Sequence, residues 1–359
     1  MKFSQEFEIG SRLIGRNQPC FIVAEIGLNH NGDLELAKRS IDSAVEAGAD
    51  SVKFQNYKTE DFIIDGSLIH TYENNGIKIV ESQYEMFKRC ELDCEMLTEL
   101  KAYCDKRNID FHSTPTGIDG LADLLAMGVG VLKNGSDYLG HLPLINAMGK
   151  SGLPSVLSTG MATRREIEVA VDSFRSTGND ALILLHCVSL YPAAPENVNL
   201  RRMISLASEF ECLVGFSDHT SGNEAVVGAV ALGACWIEKH FTLDKTLPGP
   251  DHRFSADPAE LKDLVRAVRI IEKQIGSDEI DFSPAENDAR QQFRLSCVAS
   301  RDLLSGQVLQ EEDIVFRRPG NGVPPRMAPK LYGCKLKCNV SAGSVLLEDN
   351  LRSKEDDCS

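Results

Sequence analysis

Two histidines stand at the ends of two short apolar runs, His219 in Val214-Gly-Phe-Ser-Asp-His-Thr220 and His240 in Trp236-Ile-Glu-Lys-His-Phe-Thr242. Between the runs, Ala225, Val226, Ala229, Val230 and Leu232 fall at helical spacing, which makes a strand–helix–strand unit. Its two strands lie parallel and about 4.8 Å apart, so both imidazoles leave the same rim side by side. Imidazoles so placed can share one metal ion; rim histidines hydrogen-bonded to loops are the alternative. Two protein ligands describe an open site completed by oxygen. That suits an exchangeable Mn²⁺ or Mg²⁺ acting as a Lewis acid better than structural zinc.

Other polar residues end other apolar runs. Lys53 and Lys133 close two of them, Ser136 lies just past the run that Lys133 closes, and Thr114, Ser158 and Ser217 lie at or near the ends of three more. Two cations with several small hydroxyl donors suit a phosphate, or a phosphate plus a carboxylate; solvated rim lysines are the alternative. Gln55 alternates with Lys53 on the same face. Glu25, ending the first run, is either an ion-pair partner of Lys53 or an acid/base, and Asp251 in the stiff Leu247-Pro-Gly-Pro-Asp-His252 loop is a second acid/base candidate. Tyr191, before Pro192, covers a substrate or simply packs.

A repeated unit must position these residues. Eight apolar runs, beginning near Phe21, Ser51, Asp110, Gly130, Ser155, Ala181, Val214 and Trp236, are each followed by a helical pattern. The runs are apolar throughout, as strands buried on both faces must be. The reading is α/β, a (β/α)8 TIM barrel of about 260 residues. An open doubly wound sheet is the runner-up, but its Gly-rich first turn is absent. The first 19 residues read as a hairpin that plugs one end of the barrel, and the polar excursion after Gln55, running to about Tyr84, reads as a lid. Residues 1–282 are expected to form the catalytic barrel, 283–293 a linker, 294–353 a small mostly-β domain, and 354–359 a polar tail. Within the small domain, Ser305-Gly-Gln-Val-Leu-Gln-Glu-Glu-Asp-Ile314 is echoed by Ala342-Gly-Ser-Val-Leu-Leu-Glu-Asp-Asn-Leu351.

The totals narrow the partners. A net charge of −15 argues against nucleic acid and anionic membranes, so an anionic substrate needs a local basic pocket. No apolar run reaches the roughly 20 residues of a membrane span. The start lacks a signal-peptide pattern, and the eleven cysteines are scattered, with no zinc-type pairing. A cytoplasmic protein with reduced thiols is expected.

In combination, Ala24-Glu-Ile-Gly-Leu-Asn-His-Asn-Gly32, Val52-Lys-Phe-Gln55, His112-Ser-Thr-Pro115, Leu157-Ser-Thr-Gly-Met161, Ser217-Asp-His-Thr220, Glu238-Lys-His-Phe-Thr242 and Pro248-Gly-Pro-Asp251 resemble the sialic acid synthase family. Arg318-Pro-Gly-Asn-Gly322 resembles the antifreeze-type, or SAF, domain of those enzymes. The resemblance implies condensation of phosphoenolpyruvate with an N-acylated mannosamine-type sugar to a nine-carbon 2-keto acid and phosphate. It implies that Lys53, Thr114, Lys133, Ser136, Ser158 and Ser217 hold phosphoenolpyruvate, and that His219 and His240 hold the metal, Mn²⁺ first, with Mg²⁺ or Co²⁺ as further options. It leaves proton handling and sugar contacts to Glu25 and Asp251. It also implies a domain-swapped homodimer in which Arg318 reaches the sugar's acyl group in the partner subunit's site. N-acetylneuraminate synthase is the first expectation, with legionaminic or pseudaminic acid synthase as alternatives. After Lys133 the chain reads Asn-Gly-Ser-Asp-Tyr-Leu-Gly-His141, where such enzymes more often carry an acidic residue and asparagines. Two other classes compete. A keto-acid aldolase would use Lys133 as a Schiff-base lysine, but its neighbour Ser136 and the second cation at Lys53 fit anion binding better. An antifreeze-like binding protein leaves the barrel rim unexplained.

Overall fold

Valine, isoleucine, leucine and phenylalanine fill the apolar runs, and each run becomes a strand followed by a helix. The computed structural model describes residues 2–64, 66–74 and 76–352. The strands are β1 (Phe21–Glu25), β2 (Ser51–Asn56), β3 (Asp110–Pro115), β4 (Leu132–Asn134), β5 (Ser155–Ser158), β6 (Leu182–Cys187), β7 (Leu213–Asp218) and β8 (Trp236–His240). The main helices that follow them are α1 (Leu34–Ala47), α2 (Cys94–Arg107), α3 (Ile118–Met127), α4 (Leu142–Lys150), α5 (Arg164–Arg175), α6 (Arg202–Phe210), α7 (Glu224–Ala231) and α8 (Pro258–Ile275). Several of their starts carry side-chain caps: Asp33 accepts from the N–H groups of Glu35 and Leu36, and Thr163 and Asp257 form capping boxes with Glu166 and Glu260.

The strands pair in parallel in the order β3-β2-β1-β8-β7-β6-β5-β4, so each lies beside its sequence neighbour and the last returns beside the first. β3 and β4 lie against each other, and the sheet is a nearly closed eight-stranded barrel. Alternation sorts every strand. On β1, Phe21 and Val23 face inward while Ile22 and Ala24 face the helices; on β8, Trp236 faces inward and Ile237 outward. Phe21 stacks on Trp236 with ring centroids 4.7 Å apart, and these rings join Val131, Val156 and Ile183 in the inner core. The N-terminal hairpin (Glu6–Ile9 with Arg12–Gly15) adds Ile9 and Ile14 to the same cluster, closing that end with apolar side chains. The next inward positions on β1 and β8 are polar, and there the site begins.

The excursion after β2 is not plain loop. It contains an antiparallel hairpin, Ile69–Asn74 with Ile77–Ser82, and the short helix Gln83–Arg89.

The chain divides into two units at Gly276/Ser277. In the second, the stretch expected as a linker carries a 3₁₀ turn (Pro284–Glu286) and a short helix (Asn287–Phe293). Two antiparallel pairs follow, Ser296–Ala299 with Ile314–Arg317 and Lys335–Leu336 with Leu351–Arg352, around a core that includes Cys297, Leu303, Leu309, Leu336 and Leu346. The sequence echo is also structural. Gly306 and Gly343 turn with φ of 81° and 79°, and each turn leads to a 3₁₀ turn and then a strand. The expected tail, 354–359, and residue 353 lie outside the described residues. Among the described residues no helix is long and apolar enough to cross a membrane, and ten cysteines are free thiols.

Candidate active site

A cavity of about 850 Å³ opens at the C-terminal ends of the barrel strands. Its lining includes every candidate residue named from the barrel sequence: Glu25, Lys53, Gln55, Thr114, Lys133, Ser136, Ser158, Tyr191, Ser217, His219, His240 and Asp251. Strand register explains the convergence. Glu25 pairs with Lys53 across β1 and β2, Gln55 with Thr114 across β2 and β3, and His240 with Glu25 across β8 and β1. Arg318 belongs to the second unit, where it is exposed and lies over the Phe293 ring at 5.2 Å.

At the floor, two lysines and two carboxylates interlock. Lys53 Nζ lies 3.0 Å from Glu25 and 3.3 Å from Glu238, and Lys133 Nζ lies 2.9 Å from Glu238. Lys53 also donates to Thr114 at 3.2 Å, Gln55 to Glu25 at 3.3 Å, and Ser217 to Glu238 at 3.3 Å. All four charged side chains are buried. Burial is the largest influence on each. It pushes the Glu25 carboxyl up, and with the nearby Lys53 cation it pushes Lys133 down. On Lys53 the two glutamates outweigh burial and hold the ammonium above its ordinary range. On Glu238 the two lysines outweigh burial and hold the carboxylate far below its ordinary range.

Beside this cluster the hydroxyls of Ser136 and Ser158 meet at 2.8 Å, the Gly160 N–H donates to Ser136 at 3.1 Å, and the Ser158 N–H donates to Asn134 at 2.9 Å. Two cations, these hydroxyls and a backbone N–H together make a pocket for an oxyanion.

At the rim, His219 and His240 face each other with ring centroids 5.3 Å apart. His219 Nδ1 lies 2.8 Å from the Val188 carbonyl and carries a proton, which leaves Nε2 as the nitrogen that would meet a metal. Burial lowers this imidazole's pKa, but the Cys187 and Val188 contacts outweigh it and hold it above its ordinary range, so metal binding there would displace a proton. His240 Nδ1 is buried without a hydrogen-bond partner, 3.6 Å from Asp251 Oδ2. Burial, then the neighbouring His219, holds His240 neutral well below its ordinary range, the state a metal ligand needs. These residues therefore fit a divalent cation. Among the described residues no three His, Cys, Asp or Glu side chains close on one point, so a cation here would have only the two imidazoles as protein ligands. Tyr191 packs at a tilt against His219, with ring centroids 4.2 Å apart, and Phe254 packs on His240 at 5.1 Å, forming an aromatic collar. Burial, then the Glu25 charge, pushes Asp251 up to about 7.

Two site residues escaped the sequence reading. Glu238 lies within a quoted motif, yet its place between two lysines was not foreseen. Strict alternation from Trp236 puts Glu238 and His240 on the inner face, which was the available signal. Cys187 lines the cavity with Sγ 3.9 Å from His219 Nδ1; burial raises its thiol, but the His219 contact more than offsets this and brings it down to about 7.

Residues 40–280 match the NeuB family and residues 296–352 match the SAF domain. The chain is 40% identical to the N,N'-diacetyllegionaminic acid synthase of Legionella pneumophila, over 94% of this chain and 96% of that one. It is 34% identical to human N-acetylneuraminate-9-phosphate synthase, over 94% of each chain. The solved N-acetylneuraminic acid (sialic acid) synthetase of Leptospira borgpetersenii superposes with a TM-score of 0.72 at 38% identity, covering 80% of this chain and 96% of that one.

Proposed function

The chain belongs to the NeuB family, and from that premise we propose that it is a carbon–carbon bond-forming synthase. It condenses phosphoenolpyruvate with the open-chain aldehyde of an N-acylated amino sugar, releasing a nine-carbon 2-keto acid and phosphate. The observation that carries this reading is the meeting of Lys53, Lys133 and the Ser136–Ser158 hydroxyls with the His219–His240 pair in one cavity.

Lys53, Lys133, Thr114, Ser136, Ser158 and Ser217 hold the phosphate and carboxylate of phosphoenolpyruvate. A divalent metal held by His219 and His240, Mn²⁺ before Mg²⁺ or Co²⁺, would supply Lewis acidity toward the sugar aldehyde. With both substrates in place, the enol carbon attacks the aldehyde carbon, and the aldehyde oxygen takes a proton to become a hydroxyl. Water adds to the resulting oxocarbenium carbon and gives up a proton. Phosphate then leaves with the C–O electron pair, and the keto group forms. Glu25 and Asp251 are the carboxyls assigned to these proton transfers and to sugar hydroxyls. Tyr191 covers the bound sugar.

For the acceptor, the reading favours a 2,4-diacetamido-trideoxyhexose, as in a legionaminic acid synthase. Two things support this: the higher identity to the Legionella enzyme, and the apolar wall of Leu28, Tyr57, Met86 and Phe87, which suits a 6-deoxy carbon and a second acetyl methyl. N-acetylmannosamine, the acceptor of an N-acetylneuraminate synthase, is the second reading. The same proposal includes a swapped homodimer in which Arg318 serves the partner subunit's site. A panel of N-acylated mannosamines and their 4-acetamido, 6-deoxy analogues, assayed with phosphoenolpyruvate for phosphate release, tests the assignment. Release with the diacetamido sugar above all others is expected; release with none overturns it.

A further inference from the structure

The register of β7 and β8 sets Asp218 opposite Lys239, one residue before His219 and His240 respectively. Because side chains alternate, Ser217 and Glu238 face the cavity while Asp218 and Lys239 lie behind it. Both are buried, Asp218 at 0% and Lys239 at 3% exposure. Lys239 Nζ donates to Asp218 Oδ2 at 2.7 Å and to the carbonyls of Thr220 at 2.5 Å and Gly222 at 3.1 Å. Asp218 Oδ1 accepts the Thr220 N–H at 2.9 Å. All three ammonium donors are therefore used, and two of them hold the turn that follows His219. The strand that carries His240 thus grips the backbone that carries His219.

A buried ion pair is a poor source of stability, because desolvation offsets most of the attraction and apolar residues of similar size often serve as well. What apolar residues cannot supply is direction. This pair fixes three backbone groups within three residues of a candidate metal ligand. We infer that Asp218 and Lys239 are positioning residues that set the spacing of His219 and His240, and thereby the affinity of the site for its divalent cation. This rests on the metal reading given above. Outer partners that orient metal ligands commonly change metal affinity by about 10–100-fold.

The test uses the full-length protein and the variants Asp218→Asn, Lys239→Met and Asp218→Asn/Lys239→Gln, the last leaving no unpaired charge. Each is titrated with Mn²⁺ while free Mn²⁺ is counted by electron paramagnetic resonance. Urea unfolding and metal-free phosphoenolpyruvate binding are measured alongside. The inference predicts Mn²⁺ affinity at least about tenfold weaker in the folded variants, phosphoenolpyruvate binding unchanged, and turnover restored by excess Mn²⁺. Folded variants that bind Mn²⁺ like the wild type, with only a lowered unfolding midpoint, overturn it. Failure of all three to fold assigns the pair to the core and overturns it as well. A wild type that takes up no Mn²⁺ refutes the metal reading itself, a result distinct from either.

Discussion

Glu238 Oε1 lies 2.9 Å from Lys133 Nζ, and the same oxygen lies 3.3 Å from Lys53 Nζ. One carboxylate oxygen therefore bridges the two cations assigned to phosphoenolpyruvate. Without substrate the lysines are not free charges awaiting an anion; Glu238 occupies them. An incoming phosphate must share or displace that contact.

Glu238→Gln should expose this arrangement. The change leaves Lys133 without its carboxylate, and breaking a buried pair costs about 3–5 kcal/mol. The ligand-free variant should melt well below the wild type, and inorganic phosphate should recover more stability in the variant than in the wild type. Thermal unfolding with and without phosphate checks both. Equal melting of the two proteins, with no phosphate response, would show that Glu238 is not what balances the lysines.

Lys53→Met and Lys133→Met should each weaken phosphoenolpyruvate. Each removes a charge-assisted contact of about 1.5–3 kcal/mol, roughly 10- to 150-fold in Kd. Calorimetric titration measures this directly. A change seen only in the sugar's apparent affinity would contradict the assignment.

Stability should fall as pH drops below neutrality, because of His30 and His112. His30 Nδ1 accepts the Gly32 N–H at 3.0 Å, which only a deprotonated nitrogen can do. Burial, the largest cause, lowers His30 to about 4 and His112 to about 3. The unfolded chain therefore takes up these protons first, starting near 6.5. Their contribution is complete above that pH and lost as pH falls toward 4, at up to about 1.4 kcal/mol per pH unit for each histidine. Urea midpoints between pH 7.5 and 5 should show the slope, and His30→Asn should flatten part of it. An unchanged slope in that variant would mean that His30 is not held neutral.

The barrel was legible because apolar runs ending in polar residues recur at a regular interval, and a parallel strand buried on both faces has little other choice of composition. Lys53, Lys133, His219 and His240 were legible for the same reason, as strand-end residues on one rim. Glu238 was not. A carboxylate inside a buried run looks unfavourable until its partners on β2 and β4 are known, and sequence distance hides them. The hairpin Ile69–Asn74/Ile77–Ser82 was hidden for the opposite reason: Ile69, Ile77 and Val80 are exposed, so no apolar alternation marks a buried face. Lys239 and Asp218 show the limit of motif reading, since their partner is the outward face of the adjacent strand.

The shared-site proposal for Arg318 has a complementation test. His240→Ala and Arg318→Ala proteins should each be nearly inactive. Mixed under conditions of subunit exchange, verified by tagged pull-down, they should regain activity, because one site then joins an intact barrel to the partner subunit's intact arginine. Exchange without regained activity would leave Arg318 acting within its own chain or not at all.

The central claim is that phosphoenolpyruvate condenses through its enol carbon and loses phosphate by C–O cleavage. It is tested most directly with phosphoenolpyruvate carrying ¹⁸O in the oxygen that bridges C2 and phosphorus, incubated with Mn²⁺ and the diacetamido sugar. The proposed chemistry predicts that the label leaves in inorganic phosphate, one equivalent per nine-carbon keto acid formed. Label retained in the keto acid, or pyruvate appearing in place of a condensed product, would contradict it.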